Sequence, residues 1–306
     1  MKLLVLALFL FMSNAAVSAK ETINVYSKYN QSDVGTRQIN GIISYLNNNS
    51  EKYSFRMNLV PGAFGEASIR KAIADARVGS KSILVTTVDT MTILKELETS
   101  DQKFIYDKHK DLIPLQGISS SSHGLVSSLP VKNLEELVHY LQNEKEFFYG
   151  YTSNAVVPKL SADAFIKYYG LNNGKVILYK SQADLQFAVL NKEITFAVGS
   201  ITEAIGEDNI KLLLSTSKTR SRFFPDVPNG LEKGIMNFKY DAQLFVLVPK
   251  EFAEFGAELM PMLKAACESE EYAKHLISLK RNQNCLSKQQ LQEFIDEEYK
   301  WYLDNK

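Results

Sequence analysis

Residue types that commonly do chemistry are thinly spread along this 306-residue chain. Its four histidines, His109, His123, His139 and His275, lack the close paired spacing of a zinc site. Each is read as a surface histidine or one with its hydrogen bonds satisfied. Ser119 to Ser122 run up to His123, but the sequence places no base or orienting acid beside them. No G-x-S-x-G elbow occurs either. The expectation is therefore a protein without catalytic residues, metal or cofactor, and not an enzyme. Two cysteines, Cys267 and Cys285, form an even pair near the C-terminus. In an oxidising compartment such a pair reads as one disulfide, with two buried thiols or a redox role as the alternatives.

One glycine-bearing stretch could serve a ligand. In "LVPGAFGEASIRKAI", from Leu59, a hydrophobic run ends at Pro61-Gly62, Gly65 follows, and a helical pattern begins. The stretch matches neither G-x-x-x-x-G-K-[ST] nor G-x-G-x-x-G, so a turn is favoured over a phosphate cradle. The helix it opens still presents free N–H groups, and ligands of open α/β sheets bind beyond the carboxyl ends of strands. The turn is expected to form a cleft wall.

The elements that would position such a cleft alternate along the chain. "TINVY", "SFRMNLV" and "KSILVTT" read as strands. Between them lie helices whose apolar faces are Ile39, Ile42, Ile43 and Leu46, then Ile69, Ala72, Ile73 and Ala76. This β-α-β-α-β order predicts a parallel sheet with crossover helices. The grammar restarts at "NLEELVHYLQN", where Asn133 and Glu136 have capping-box spacing. It continues through "FFYGY", "KVILYK", "ITFAV" and "IKLLLST". "GISSSSHG" reads as a crossing between two α/β units and "DAQLFVLVP" as a return strand. The last helix opens with Ser287 and Gln290 in the same capping spacing and buries Leu291, Phe294, Ile295 and Tyr302.

Composition bounds the rest. Thirty-five basic residues balance 35 acidic ones, which gives no electrostatic case for nucleic acid. Lys2, the apolar run "LLVLALFLFM" and Val17-Ser18-Ala19 have the layout of a secretory signal peptide cleaved after Ala19. The apolar run is short for a membrane span, although an uncleaved anchor is the alternative. The expected product is exported.

Taken in order, these motifs resemble the solute-binding receptors of tripartite tricarboxylate transporters, the Bug family. Pro61, Gly62, Ala63 and Gly65 agree with the family's PGAGG turn, with Phe64 at a usual glycine. "LPVKNLEELVHYLQ" is similar to its P-x-K-(T/S)-L-x-E-L segment, and Tyr179-Lys180 to the start of its YKG element. "KTRSRFFPDVPNGLEKG" resembles R-S-x-x-L-P-D-V-P-T-x-x-E-x-G, with Arg220, Pro225, Asp226, Val227, Pro228, Glu232 and Gly234 in register.

The resemblance implies an α/β, two-lobed periplasmic-binding-protein fold (type II-like). Each lobe would be a mainly parallel sheet flanked by helices, with the cleft between lobes. After a signal peptide at 1–19, one lobe would take 20–120 plus 241–306 and the other 121–240. Two loops in this family hold a carboxylate. The first corresponds to "VYSKYNQSD", where Asp33 agrees, Ser32 keeps a hydroxyl and Tyr26 stands for the aromatic, but Ser27, Lys28, Tyr29 and Asn30 replace prolines and glycines. The second corresponds to "YGYTSNAVVPK", which keeps Tyr149 and Gly150 and departs through Tyr151, Ser153, Ala155, Val156 and Lys159. "EITFAV" puts Thr195 at a usual aspartate.

Glycines let backbone N–H groups reach a carboxylate at unusual dihedrals, which the replacements restrict. Lys28 and Lys159 would supply charge-assisted bonds instead, or else lie along the surface. Thr86 and Thr87 end the third strand as hydroxyl contacts or as strand-end caps. The implied ligand-binding set is Tyr26, Ser27, Asn30, Ser32, Asp33, Thr86, Thr87, Gly150, Tyr151, Thr152, Ser153 and Lys159. The implied function is capture of a small carboxylated solute by a monomer that hands it to membrane transporter subunits. The alternative is a diverged receptor acting on a membrane sensor or other protein.

Overall fold

A computed structural model gives the structure of the chain over residues 19–62, 65–92, 107–152, 156–200 and 210–305. The leader up to Ser18, Ala63-Phe64 and Ser153 lie outside the described residues.

The first half opens with β1 (Glu21–Ser27), α1 (Val34–Asn49), β2 (Tyr53–Leu59), α2 (Glu66–Arg77) and β3 (Ser82–Thr87). Two short helices, α3 (Val88–Thr92) and α4 (Lys108–Asp111), precede β4 (Leu112–Ser122). Then come β5 (Gly124–Ser127), α5 (Leu134–Asn143), β6 (Phe147–Thr152), α6 (Val156–Tyr169), β7 (Gly174–Tyr179), α7 (Gln182–Leu190), β8 (Phe196–Gly199) and β9 (Lys211–Ser215). The chain closes with β10 (Asp241–Pro249), α8 (Ala253–Glu268), α9 (Glu270–Ser278), β11 (Asn282–Gln283) and α10 (Lys288–Asn305).

Two sheets result, ordered β11-β4-β10-β3-β1-β2 and β7-β6-β8-β5-β9. Both are mixed, where the sequence pattern predicts mainly parallel ones. The crossover units give the parallel pairs β1–β2, β1–β3, β6–β7 and β6–β8. Strands that carry the chain between sheets pair antiparallel: β10 with β3 and β4, and β5 with β8 and β9. A strand that leaves one sheet and a strand that returns to it run in opposite directions side by side, a relation invisible to local periodicity.

Helices cover both faces of each sheet, as their apolar stripes require. On the first sheet, Ile39, Ile42 and Leu46 of α1 share a core with Leu259 and Leu263 of α8. Ile69 and Ile73 of α2 share the opposite core with Leu291 and Ile295 of α10. Phe165 of α6 and Leu137 of α5 pack on one face of the second sheet, and Leu185 and Val189 of α7 on the other. Asn133 accepts the Glu136 N–H at 2.9 Å, and Ser287 the Gln290 N–H at 3.4 Å, so both caps stand where the spacing predicts. Cys267 and Cys285 are joined by a disulfide with Cα atoms 5.8 Å apart, tying α8 to the segment before α10.

The turn at Gly62 and Gly65 is closed by the Gly65 N–H bonding the Gly62 carbonyl at 2.9 Å. Both glycines have positive φ, 112° and 98°. A Cβ at Gly65 would sit 2.8 Å from Thr90 Cγ2, whereas one at Gly62 meets nothing within 4 Å. Gly65→Ala is therefore expected to destabilise by roughly 1–3 kcal/mol from backbone strain and crowding. Gly62→Ala should cost less, and paired thermal melts check that order.

Candidate functional site: a cleft between the sheets

The two sheets meet at His123, between β4 and β5, and at the return through Thr216 and Tyr240. Thr216 clamps both passages. Its N–H donates to the His123 carbonyl at 3.0 Å, and its hydroxyl to the Tyr240 carbonyl at 2.7 Å. The Tyr240 N–H returns a bond to the Thr216 carbonyl at 2.6 Å. Beside this junction lies a cavity of about 240 Å³. Its wall on the first sheet is the β1–α1 loop from Lys28 to Asp33, with Gly62, Gly65, Thr87 and Asp89. The opposite wall is Thr152, the start of α7 from Lys180 to Ala183, and Ser200. Ser121, His123 and Tyr240 close it along the crossing strands.

Of the residues singled out in the sequence, Asn30, Ser32, Asp33, Thr87 and Thr152 line this cavity. Others lie elsewhere. Tyr26 is buried under the sheet and its hydroxyl donates to Asp75 Oδ2; burial, then that carboxylate, pushes its phenol up. Ser27 and Thr86 are buried strand residues one step from the cavity wall. Gly150 is held by close packing, because a Cβ there would meet the Ile177 carbonyl at 2.9 Å. Tyr151 points into the second sheet's core. Lys159 lies off the cavity and pairs with Asp163 at 2.6 Å, one helical turn on along α6.

Lys28 reaches the cavity but spends its charge locally. Its Nζ donates to both Asp89 carboxylate oxygens, at 2.9 and 2.8 Å, and to Thr90 Oγ1 at 2.8 Å. Thr87 adds a hydroxyl bond to the same carboxylate. Burial pushes Asp89 up, but the Lys28 charge and these bonds outweigh it and hold the carboxyl below its usual range.

His123 corrects the sequence reading. It lines the cavity with Nδ1 buried and unpartnered among the described residues, its ring 5.3 Å from Tyr240. Burial pushes its imidazole down to about 4, so it is neutral at physiological pH. By contrast, Nε2 of His275 pairs with the Arg37 carbonyl at 2.8 Å. Gln182 shares the condition of His123, its Oε1 buried without a partner. Ser200 accepts a bond from Nη2 of the buried Arg281 at 3.0 Å.

Asp89, Gln182 and Ser200 escaped sequence reasoning because none belongs to a local motif. Only Lys180, in the "YK" element, carried a signal. Among the described residues no group of three or more His, Cys, Asp or Glu could hold a metal ion, and no helix is long and apolar enough to cross a membrane. The arrangement is built to surround a small polar solute with hydroxyls, amides and a few charges.

Residues 70–302 match the sequence profile of the family described as "Tripartite tricarboxylate transporter family receptor". No curated protein matches the chain in sequence. Among solved structures, the periplasmic binding protein BugD is similar with a TM-score of 0.76 at 15% identity, over 92% of this chain and 95% of that one. MatC from Rhodopseudomonas palustris, with bound malate, gives 0.73 at 16%, over 92% and 98%. A second R. palustris protein, solved with adipate, gives 0.78 at 18%, over 92% and 95%. At these identities the likeness shows a shared fold, the two-lobed α/β fold of periplasmic binding proteins. The profile covers most of the chain, and on that ground the protein belongs to the tripartite tricarboxylate transporter receptor family.

Proposed function

We propose that this chain is a non-enzymatic periplasmic receptor that closes its two lobes around one small, carboxylated organic solute and delivers it to membrane transporter subunits. The observation that carries this reading is the polar cavity where the two sheets meet, in a chain of this receptor family. The similar structures solved with malate and adipate support an organic acid. The lobes are taken as 20–120 plus 241–306 and 121–240, a division that sheet membership supports, since β4 and β5 are separated only by His123. Asn30, Ser32, Asp33, Thr87 and Thr152 are the proposed contacts from the sequence set, with Ser153 directly following Thr152. Export would follow cleavage after Ala19, leaving a monomer.

A thermal-shift screen of residues 20–306 against organic acids, amino acids and sugars tests this. A ligand at a hundredfold its Kd adds about 2.7 kcal/mol to stability, which raises the midpoint by several degrees. A shift for one or more carboxylates is the expected outcome. No shift across the panel would count against solute capture and favour a protein-binding role.

A further inference from the structure

The charge distribution in the cleft narrows the class of acid it can take. Four charged side chains line the cavity among the described residues: Lys28, Asp33, Asp89 and Lys180. An ammonium has three N–H donors, and those of Lys28 are all committed to Asp89 and Thr90. The pair is mostly buried, with side-chain exposures of 14% and 19%, so Lys28 cannot turn outward without stranding Asp89. Asp33 accepts the Asn30 N–H at 2.7 Å and sets a negative charge at the start of α1, where an anion would otherwise be attracted. Lys180 differs from these three. It is exposed, precedes α7, and forms no ion pair with a described residue.

Beyond Lys180 the cavity offers neutral hydrogen-bonding groups. Gln182 stands two residues on, with its Oε1 unpartnered like Nδ1 of His123. Ser200 accepts from Arg281, which leaves the serine's own proton to donate. Arg281 is itself only 1% exposed and approaches the cavity through that serine. A second carboxylate placed among these groups would set its oxygens against the Gln182 Oε1 acceptor, and among the described residues the one other cation lining the cavity, Lys28, is held by Asp89.

We propose that the ligand carries a single carboxylate, held by Lys180, and a neutral hydrogen-bonding end, such as an amide or hydroxyl, received by Gln182, His123 and Ser200. This rests on the receptor reading of the same cleft. It assigns Lys180 a ligand-binding role and makes the Lys28–Asp89 pair a filter against dicarboxylates. The cavity's modest volume fits a short acid of this kind.

Titration calorimetry on residues 20–306 tests it with matched pairs: glutarate against its monoamide glutaramate, and adipate against adipamate. The monoamide is expected to bind at least tenfold more tightly in at least one pair, and Lys180→Ala to weaken it by tenfold or more. Asp89→Asn, which releases Lys28, should narrow the gap by raising dicarboxylate affinity. The wild-type comparison stands even if that variant folds poorly. Dicarboxylates binding as well as their monoamides would overturn the proposal and leave the receptor reading intact. Monoamide binding unchanged in Lys180→Ala would overturn the role given to Lys180. If no carboxylate of any kind binds, the receptor reading fails and this proposal with it.

Discussion

Lys28→Met is expected to lower the stability of the protein by about 3–5 kcal/mol, because it leaves the Asp89 carboxylate buried without its partner. The loss should appear as a fall of roughly ten degrees in the thermal midpoint, at 2–4 °C per kcal/mol for a domain near this size. The double variant Lys28→Met/Asp89→Leu should recover most of it, since replacing a buried pair by apolar groups is often neutral. A double variant no better than the single one would show that the Thr87 hydroxyl, which donates to the carboxylate, needs it as much as Lys28 does. The pair also sets an acid limit. Asp89 is held below the ordinary carboxylate value, so its contribution is complete above the unfolded pKa of about 4. It is lost as the pH falls through the lower folded value. His123 acts earlier on the same descent. Its folded value of about 4 lies below the unfolded value of about 6.5, so the unfolded chain takes up that proton first. Stability should begin to decline below pH 6.5, and His123→Phe should flatten that part of the profile.

Replacing both Cys267 and Cys285 by serine is expected to cost about 3 kcal/mol, the loop-closure value for a crosslink spanning this length of chain. Cys267 is fully buried in the core shared by α1, α8 and α9. Cys285 lies between β11 and α10, next to Leu286, whose carbonyl receives the Gly117 N–H at 2.8 Å. Loss of the crosslink should loosen that segment first, and hydrogen exchange would show it as faster exchange at Gly117 than at the central strands. Chemical denaturation with and without reductant measures the stability change. A difference below about 1 kcal/mol would mean that packing around α8 and α10 holds the segment unaided.

The fold was legible where local pattern and tertiary outcome coincide. The apolar stripes of α1 and α2, the Asn133 and Ser287 caps and the return strand at Asp241 all follow from spacing within one element. The antiparallel partners of β5 and β10 were not legible, because pairing across 70 or more residues leaves no periodic trace. The candidate site divides in the same way. Residues at or just beyond a recognisable strand end, such as Asn30, Asp33 and Thr152, reach the cleft by position alone. Lys159 was misplaced because its offset within a motif says nothing of which way a helix turns it; on α6 it faces Asp163. For Lys28 the sequence left a cleft position and a surface position open; it lines the cleft, and its partner Asp89 lies 61 residues on. Its commitment to an ion pair could only be seen once β1 and β3 stood side by side.

The central claim is that the cavity where the sheets meet is where solute binds. It is tested most directly by titrating the best carboxylate from the thermal screen into three proteins: wild type, Thr152→Trp, which fills the cavity from the second sheet, and Lys274→Ala on the exposed face of α9. The account predicts that Thr152→Trp abolishes binding while its melting transition stays cooperative, and that Lys274→Ala binds as wild type does. Full binding by a folded Thr152→Trp would contradict it and move the solute site out of the cleft.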